Sequence, residues 1–194
     1  MNYTIAAIET RYNGVNFRSR LEAKWAAMFD LLEWKWTYEP RDFDGWIPDF
    51  AIHGSRIIYV EVKPAEYFPR DVGDKMIRSG CDDRMLIVGS RVPLSGRDAI
   101  TRGNHGDTEY AHDELPYFGW CLHPEPAVWE PAVFGRHGMD DYIGFMGTGY
   151  FLADYTRECD VWNCTEMPPG RGVSACEIEL LWREAGNRTR WNKR

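Results

Sequence analysis

Trp46-Ile-Pro-Asp-Phe-Ala-Ile-His-Gly-Ser-Arg-Ile-Ile-Tyr-Val-Glu-Val-Lys63 is the most informative stretch of the chain. Two runs of strand length flank His53-Gly-Ser55, and a three-residue connection holding Gly predicts a β-hairpin. Side chains alternate faces along a strand. Ile58, Val60 and Val62 therefore make one wholly apolar face suited to a core, while Tyr59, Glu61 and Lys63 share the other. Pro64 has no N–H to donate and stops the second strand. Pro48 predicts an edge or a bulge in the first. With the turn at 53–55, Ile52 faces Arg56, Asp49 faces Tyr59 and Ile47 faces Glu61. Asp49 and Glu61 are then diagonal neighbours, roughly 7–8 Å apart at the backbone. Two carboxylates at that separation can lean toward one cation. A slip of one residue at Pro48 would turn Asp49 to the wrong face.

Outward from this hairpin, Leu21, Trp25, Met28 and Leu32 form one apolar stripe and predict a helix from about Phe17 to Trp34. Ser19 and Glu22 make a capping-box pattern at its start. A short strand follows at Trp36 to Glu39. Beyond the hairpin come a short helix, Asp71 to Ser79, and an apolar strand inside a sheet, Arg84 to Gly89. Residues 90–170 hold many Gly, Pro, Trp and Tyr with little periodicity, which predicts loops and short strands, Val161 to Thr165 among them. Ser174 and Glu177 repeat the capping pattern before a last helix, Ser174 to Ala185, with Gly186 at its C′ position. The expected organisation is one domain over 1–194: a core of about 15–97 plus the helix 174–186, an acidic aromatic insertion over about 98–170, and a basic tail over 187–194. The fold class is α/β, with a mixed central sheet flanked by helices.

The net charge of −7 is unevenly spread. Residues 98–170 carry 13 acidic and 3 basic side chains, whereas 171–194 carry 6 basic and 3 acidic. The local field, not the total, governs where a polyanion can approach. No apolar run approaches the ~18 residues of a membrane span, and Met1 to Thr10 lacks the pattern of a secretion signal, so a cytoplasmic protein without membrane contact is expected. Five cysteines at irregular spacing read as reduced thiols. Cys159, Cys164 and Cys176 do not have the spacing of zinc knuckles.

A phosphodiester is an anion, and carboxylates alone repel it. A hard divalent cation on oxygen ligands reverses the local sign, and Mg²⁺ needs only one or two carboxylates because it keeps several waters. A nearby Lys adds charge and positions water. Pro48-Asp49 followed by Glu61-Val62-Lys63, with Glu22 on a preceding helix, resembles the PD-(D/E)XK nuclease superfamily. The segment Phe17-Arg-Ser-Arg-Leu-Glu-Ala-Lys-Trp25 is similar to the opening of small phage and bacterial members. The closing Trp182-Arg-Glu-Ala-Gly-Asn-Arg-Thr-Arg-Trp191 is similar to theirs as well. The resemblance covers roughly residues 15–90. It implies a restriction-endonuclease-like core in a bacterial or phage-infected cell. It also implies Mg²⁺, replaceable by Mn²⁺, on Asp49, Glu61 and the Val62 carbonyl, with Glu22 in support and Lys63 assisting water. The implied reaction is DNA phosphodiester hydrolysis, endonucleolytic, leaving 5′-phosphate and 3′-hydroxyl. The chain contains no Gln, so the exonuclease-like branch, which carries a Gln on the next helix, fits less well.

Arg18, Arg20 and Lys24 read either as phosphate contacts or as a solvated helix face. Arg188, Arg190, Lys193 and Arg194 read as DNA contacts or as a solubilising tail. Glu22 reads as a site residue, as a capping residue bonded to the Ser19 backbone, or as both. Two alternatives differ in function. One is a catalytically silent nuclease-fold binding protein, an inhibitor or adaptor that meets a protein partner through residues 98–170. The other is a dimeric junction resolvase. RNA remains open as a substrate.

Overall fold

A computed structural model describes residues 7–54, 57–92, 117–123, 128–137, 140–145, 151–154 and 175–190. A small antiparallel hairpin, β1 (Thr10–Tyr12) and β2 (Val15–Phe17), precedes helix α1 (Arg20–Leu31). Strands β3 (Trp36–Tyr38), β4 (Phe50–His53) and β5 (Ile57–Val62) follow, then helix α2 (Arg70–Arg78) and strand β6 (Arg84–Val88). Four further strands, β7 (Tyr117–His123), β8 (Val128–His137), β9 (Asp140–Phe145) and β10 (Phe151–Asp154), lead to helix α3 (Ala175–Arg188). Strands β3 to β10 form one mixed sheet in chain order. Its only parallel pair among the described strands is β5–β6, joined through α2. No helix among the described residues is long and apolar enough to cross a membrane.

Both faces of the sheet are covered. Ile58, Val60 and Val62 of β5 join Phe50, Ile52, Leu86 and Val88 in a cluster with Trp25, Ala26 and Phe29 of α1 and Ile178, Trp182 and Ala185 of α3. Tyr59 faces the other way, into a second cluster with Phe43, Trp46, Met76 of α2, Ile87 and Trp120. The alternation read from β5 thus has an apolar partner on either side, and only Glu61 and Lys63, past the midpoint of the strand, escape full apolar cover.

The hairpin differs from its expected register. His53 pairs with Ile57, and Ile52 faces Ile58 rather than Arg56, a shift of two residues. The ladder runs on to His53–Ile57, two residues later in register than the expected turn allows. Because the side-chain period is two, this shift leaves every residue on its expected face. The first strand is shorter than expected, starting at Phe50. Pro48 cannot join a ladder, and Trp46 instead bridges to Phe43 across a tight turn containing Gly45.

Helix α3 runs three residues beyond its expected end, through Gly186. This glycine is no cap. It lies inside the helix, and a Cβ there would lie 3.3 Å from Lys24 Cε, so the glycine leaves room for the Lys24 side chain between α1 and α3. Residues 117–154 also depart from the expected loop-rich insertion beside the core. Their strands extend the central sheet, and β8 alone is ten residues long. The seam is narrow: β6 meets β7 through Leu86↔Cys121 and Ile87↔Trp120. At its lip a Cβ on Gly119 would run into the Ile87 carbonyl oxygen. The strand expected at Val161 to Thr165 lies outside the described residues.

Candidate active site

Ser19 caps α1 in extended backbone, its Oγ accepting from the Glu22 N–H at 3.1 Å. The same hydroxyl donates to Glu22 Oε1 at 2.7 Å, and Tyr38 Oη donates to Oε2 at 2.6 Å. Glu22 is therefore held by two side chains, one of them the cap itself, and the Ser19 backbone is not its partner. Being in the first turn of α1, its charge also lies at the favourable end of the helix dipole. Tyr38 further accepts from the Arg18 N–H at 3.2 Å, and burial, then the Glu22 bond, push its hydroxyl up to about 12.

Asp49 leads into β4. The Glu39 N–H donates to its carbonyl at 3.0 Å, with Glu39 at φ 45° turning the chain after β3. Across the hairpin the Val62 N–H donates to Asp49 Oδ2 at 2.7 Å. Arg18 Nη2 lies 2.7 Å from Oδ1, and Arg18 Nε 3.0 Å from Glu39 Oε1. Burial, followed by the Glu61 charge, drives the Asp49 carboxyl up to about 7, against the pull of the Val62 N–H and Lys63. Arg18 goes the other way from what burial alone dictates: Tyr38, Asp49 and Glu39 hold it firmly protonated.

Glu61, at the end of β5, is buried. Trp46 Nε1 donates to its Oε2 at 2.8 Å, and Lys63 Nζ lies 2.6 Å from Oε1. Glu22, Asp49, Glu61, Val62 and Lys63 line one open cleft of about 460 Å³ together with Arg18, Gly45, Ile47 and Lys75. The four residues that the sequence singles out for chemistry thus share one cavity.

No protein-family model, curated protein or solved structure matches the chain.

The other expected contacts scatter. Arg20 is exposed at the start of α1 and does not line the cleft. Lys24 packs against α3: its ammonium lies 3.6 Å from the Trp182 ring centre, and burial lowers it to about 8. Arg188 pairs with Glu184 at 3.2 Å on the surface, and Arg190 is exposed. Lys193 and Arg194 lie outside the described residues. Cys81, Cys121 and Cys176 form no disulfide among the described residues, while Cys159 and Cys164 lie outside them.

Sequence reasoning missed Trp46, Tyr38, Glu39 and Lys75. Lys75 had the most visible signal, since it precedes the buried Met76 on the helix that follows Lys63.

The donor set suits a hard dication. Asp49 and Glu61 offer oxygens in an open, polar cleft, and Mg²⁺ is held by one or two carboxylates plus water. Among the described residues no group of three or more His, Cys, Asp or Glu side chains is arranged to hold a metal ion, so the fit rests on two carboxylates and on an ion that keeps most of its waters. Burial raises Asp49 most and the Glu61 charge next, and a bound cation would offset the second of these.

Proposed function

We propose that the chain is a Mg²⁺-dependent deoxyribonuclease of the PD-(D/E)XK type, with a restriction-endonuclease-like core. It cuts DNA internally and leaves 5′-phosphate and 3′-hydroxyl ends. The observation that carries this reading is the meeting of Glu22, Asp49, Glu61 and Lys63 in one cleft at the end of β4 and β5.

Asp49 and Glu61 would hold the ion, joined by the Val62 carbonyl. When bound, Mg²⁺ supplies Lewis acidity, acidifying water and offsetting charge at the phosphoryl oxygens. The remaining work falls to the chain. The Val62 N–H fixes Asp49 Oδ2, and the Trp46 indole fixes Glu61 Oε2, so both carboxylates keep their direction. Glu22, with both oxygens on Ser19 and Tyr38, supports the site electrostatically. Lys63 is tethered to Glu61 and, when charged, has three N–H donors and no acceptor. It therefore orients the attacking water and stabilises negative charge, and does not itself take the proton. Lys75, which also lines the cleft, supplies positive charge for the incoming backbone.

The test is cleavage of supercoiled, linear, single-stranded and branched DNA with Mg²⁺, Mn²⁺ or chelator. Metal-dependent cutting by wild type, lost in Asp49→Ala and Lys63→Ala, is expected. Folded wild type that cuts none of these substrates would sink the reading.

A further inference from the structure

The six oxygens of Glu22, Asp49 and Glu61 are all engaged by the chain, but not by equivalent partners. Glu22 is bonded by hydroxyls, Asp49 Oδ2 by a backbone N–H, and Glu61 by an indole N–H and its strand neighbour Lys63. Of these side-chain partners, Ser19 and Tyr38 are part-buried at their bonds to Glu22, Trp46 is buried, and Lys63 is 35% exposed. Asp49 Oδ1 is different. Its partner, Arg18, reaches in from the segment before α1, with its side chain 59% exposed against 4% for Asp49. A mostly solvated cation thus ends on a buried carboxylate.

The guanidinium is a planar fork with five donors. Here the fork is split: Nε rests on the half-exposed Glu39 and Nη2 on Asp49. Oδ2 is held by the backbone and Oδ1 by a long, mostly exposed side chain, so Oδ1 is where an outside cation competes with a partner that can move. A dication arriving there meets a like charge already seated. Two cations on one carboxylate oxygen repel each other and weaken each other's hold, and the more exposed Arg18, with a second anchor on Glu39, is the one placed to give way. Glu39 offers Arg18 a place to remain at the mouth of the cleft when Nη2 lets go.

We propose that Arg18 is a resident counter-cation at the metal seat, which exchanges with the divalent ion at Asp49 Oδ1 and swings on its Glu39 anchor toward an incoming phosphate. This rests on the metal-dependent reading above. It assigns Arg18 two opposed effects: it weakens metal binding and strengthens binding of nucleic acid. A guanidinium that merely orients Asp49 would do the reverse for metal, since its removal would loosen the ligand.

The test uses the full chain as wild type, Arg18→Gln, Arg18→Lys, Asp49→Ala and Glu61→Ala. Mn²⁺ binding is read by the loss of the free-ion electron paramagnetic resonance signal. Arg18→Gln is expected to bind Mn²⁺ about fivefold tighter, the effect of losing a competitor worth a partly exposed ion pair. Arg18→Lys should fall between it and wild type. Arg18→Gln should also bind a short DNA duplex in Ca²⁺ about fivefold more weakly. Unchanged or weaker Mn²⁺ binding by Arg18→Gln, with wild-type binding abolished in Asp49→Ala and Glu61→Ala, overturns the exchange and leaves the nuclease reading standing. Absence of Mn²⁺ binding in both wild type and Arg18→Gln overturns both.

A second measurement needs no variant. In ¹⁵N-labelled wild type, the Trp46 indole N–H reports on Glu61 and the Arg18 Nε–H on the latch. Both resonances should shift and saturate together as Mg²⁺ is added. An Arg18 resonance that stays still while Trp46 saturates overturns the proposal.

Discussion

Asp49 shows how a single side chain can carry cost and use together. Its carboxyl is raised from 3.8 to about 7, first by burial and then by Glu61. Between those values the folded chain binds more protons than the unfolded one, so this residue makes stability fall as pH rises from about 4 to 7. Urea unfolding across that window should show the decline, and Asp49→Asn should flatten it. A wild-type midpoint that climbs over the same range would contradict the assignment. Tyr38 gives a second expectation. Tyr38→Phe removes the hydroxyl that satisfies Glu22 Oε2 and accepts from the Arg18 N–H. Leaving a shielded carboxylate oxygen short of a donor costs about 1–3 kcal/mol. Unfolding midpoints measured alongside cleavage rates should both fall, and an unchanged midpoint would mean that water replaces the hydroxyl at no cost. The sequence pointed to Glu22, Asp49, Glu61 and Lys63 because Glu61 and Lys63 share a strand face opposite a wholly apolar one, and because the four together resemble the PD-(D/E)XK pattern. It did not point to Trp46 or Tyr38, whose roles depend on where a turn and a short strand put a single polar atom.

Elements were legible in proportion to their periodic content. Helix α1 announced itself through four apolar residues on one stripe, and β5 through strict alternation. Register was less legible, because the residues around Gly54 fit two placements of the loop, and only ladder closure at His53–Ile57 separates them. The β1–β2 hairpin was missed although Asn13 and Gly14, both at positive φ, form a familiar two-residue turn. Its strands of three residues are too short to show alternation. Lys24 illustrates the opposite error, a charge read as surface that the α1–α3 contact half buries. Its stem and ammonium cover Trp182, beside the gap left by Gly186. Lys24→Met should keep that packing without a desolvated charge. Stability at pH 7 is expected to be equal or higher, with DNA affinity unchanged. A marked loss of DNA affinity in a normally folded Lys24→Met protein would restore the phosphate-contact reading.

At the scale of the molecule, charge is segregated. The chain is acidic overall, yet Arg18, Lys63 and Lys75 stand around the acids of the cleft. Of these, Arg18 and Lys63 are ion-paired within the chain, whereas Lys75 has no ion pair with another described residue. A lysine that meets phosphate releases counterions, so Lys75→Ala should lower the dependence of log affinity on log salt by about 1. A slope that does not change would place Lys75 off the path of the backbone. The narrow seam between β6 and β7 has a consequence for how the molecule opens. Two paired positions join β7–β10 to the strands that carry the cleft, and Gly119 lets the backbones come together there. Cooperativity along the sheet should therefore break at this line. Amide hydrogens of β8 and β9 are expected to exchange by a lower-energy opening than those of β5 and β6. Gly119→Ala should widen the difference, loosening β7–β10 while the strands that carry the cleft keep their protection.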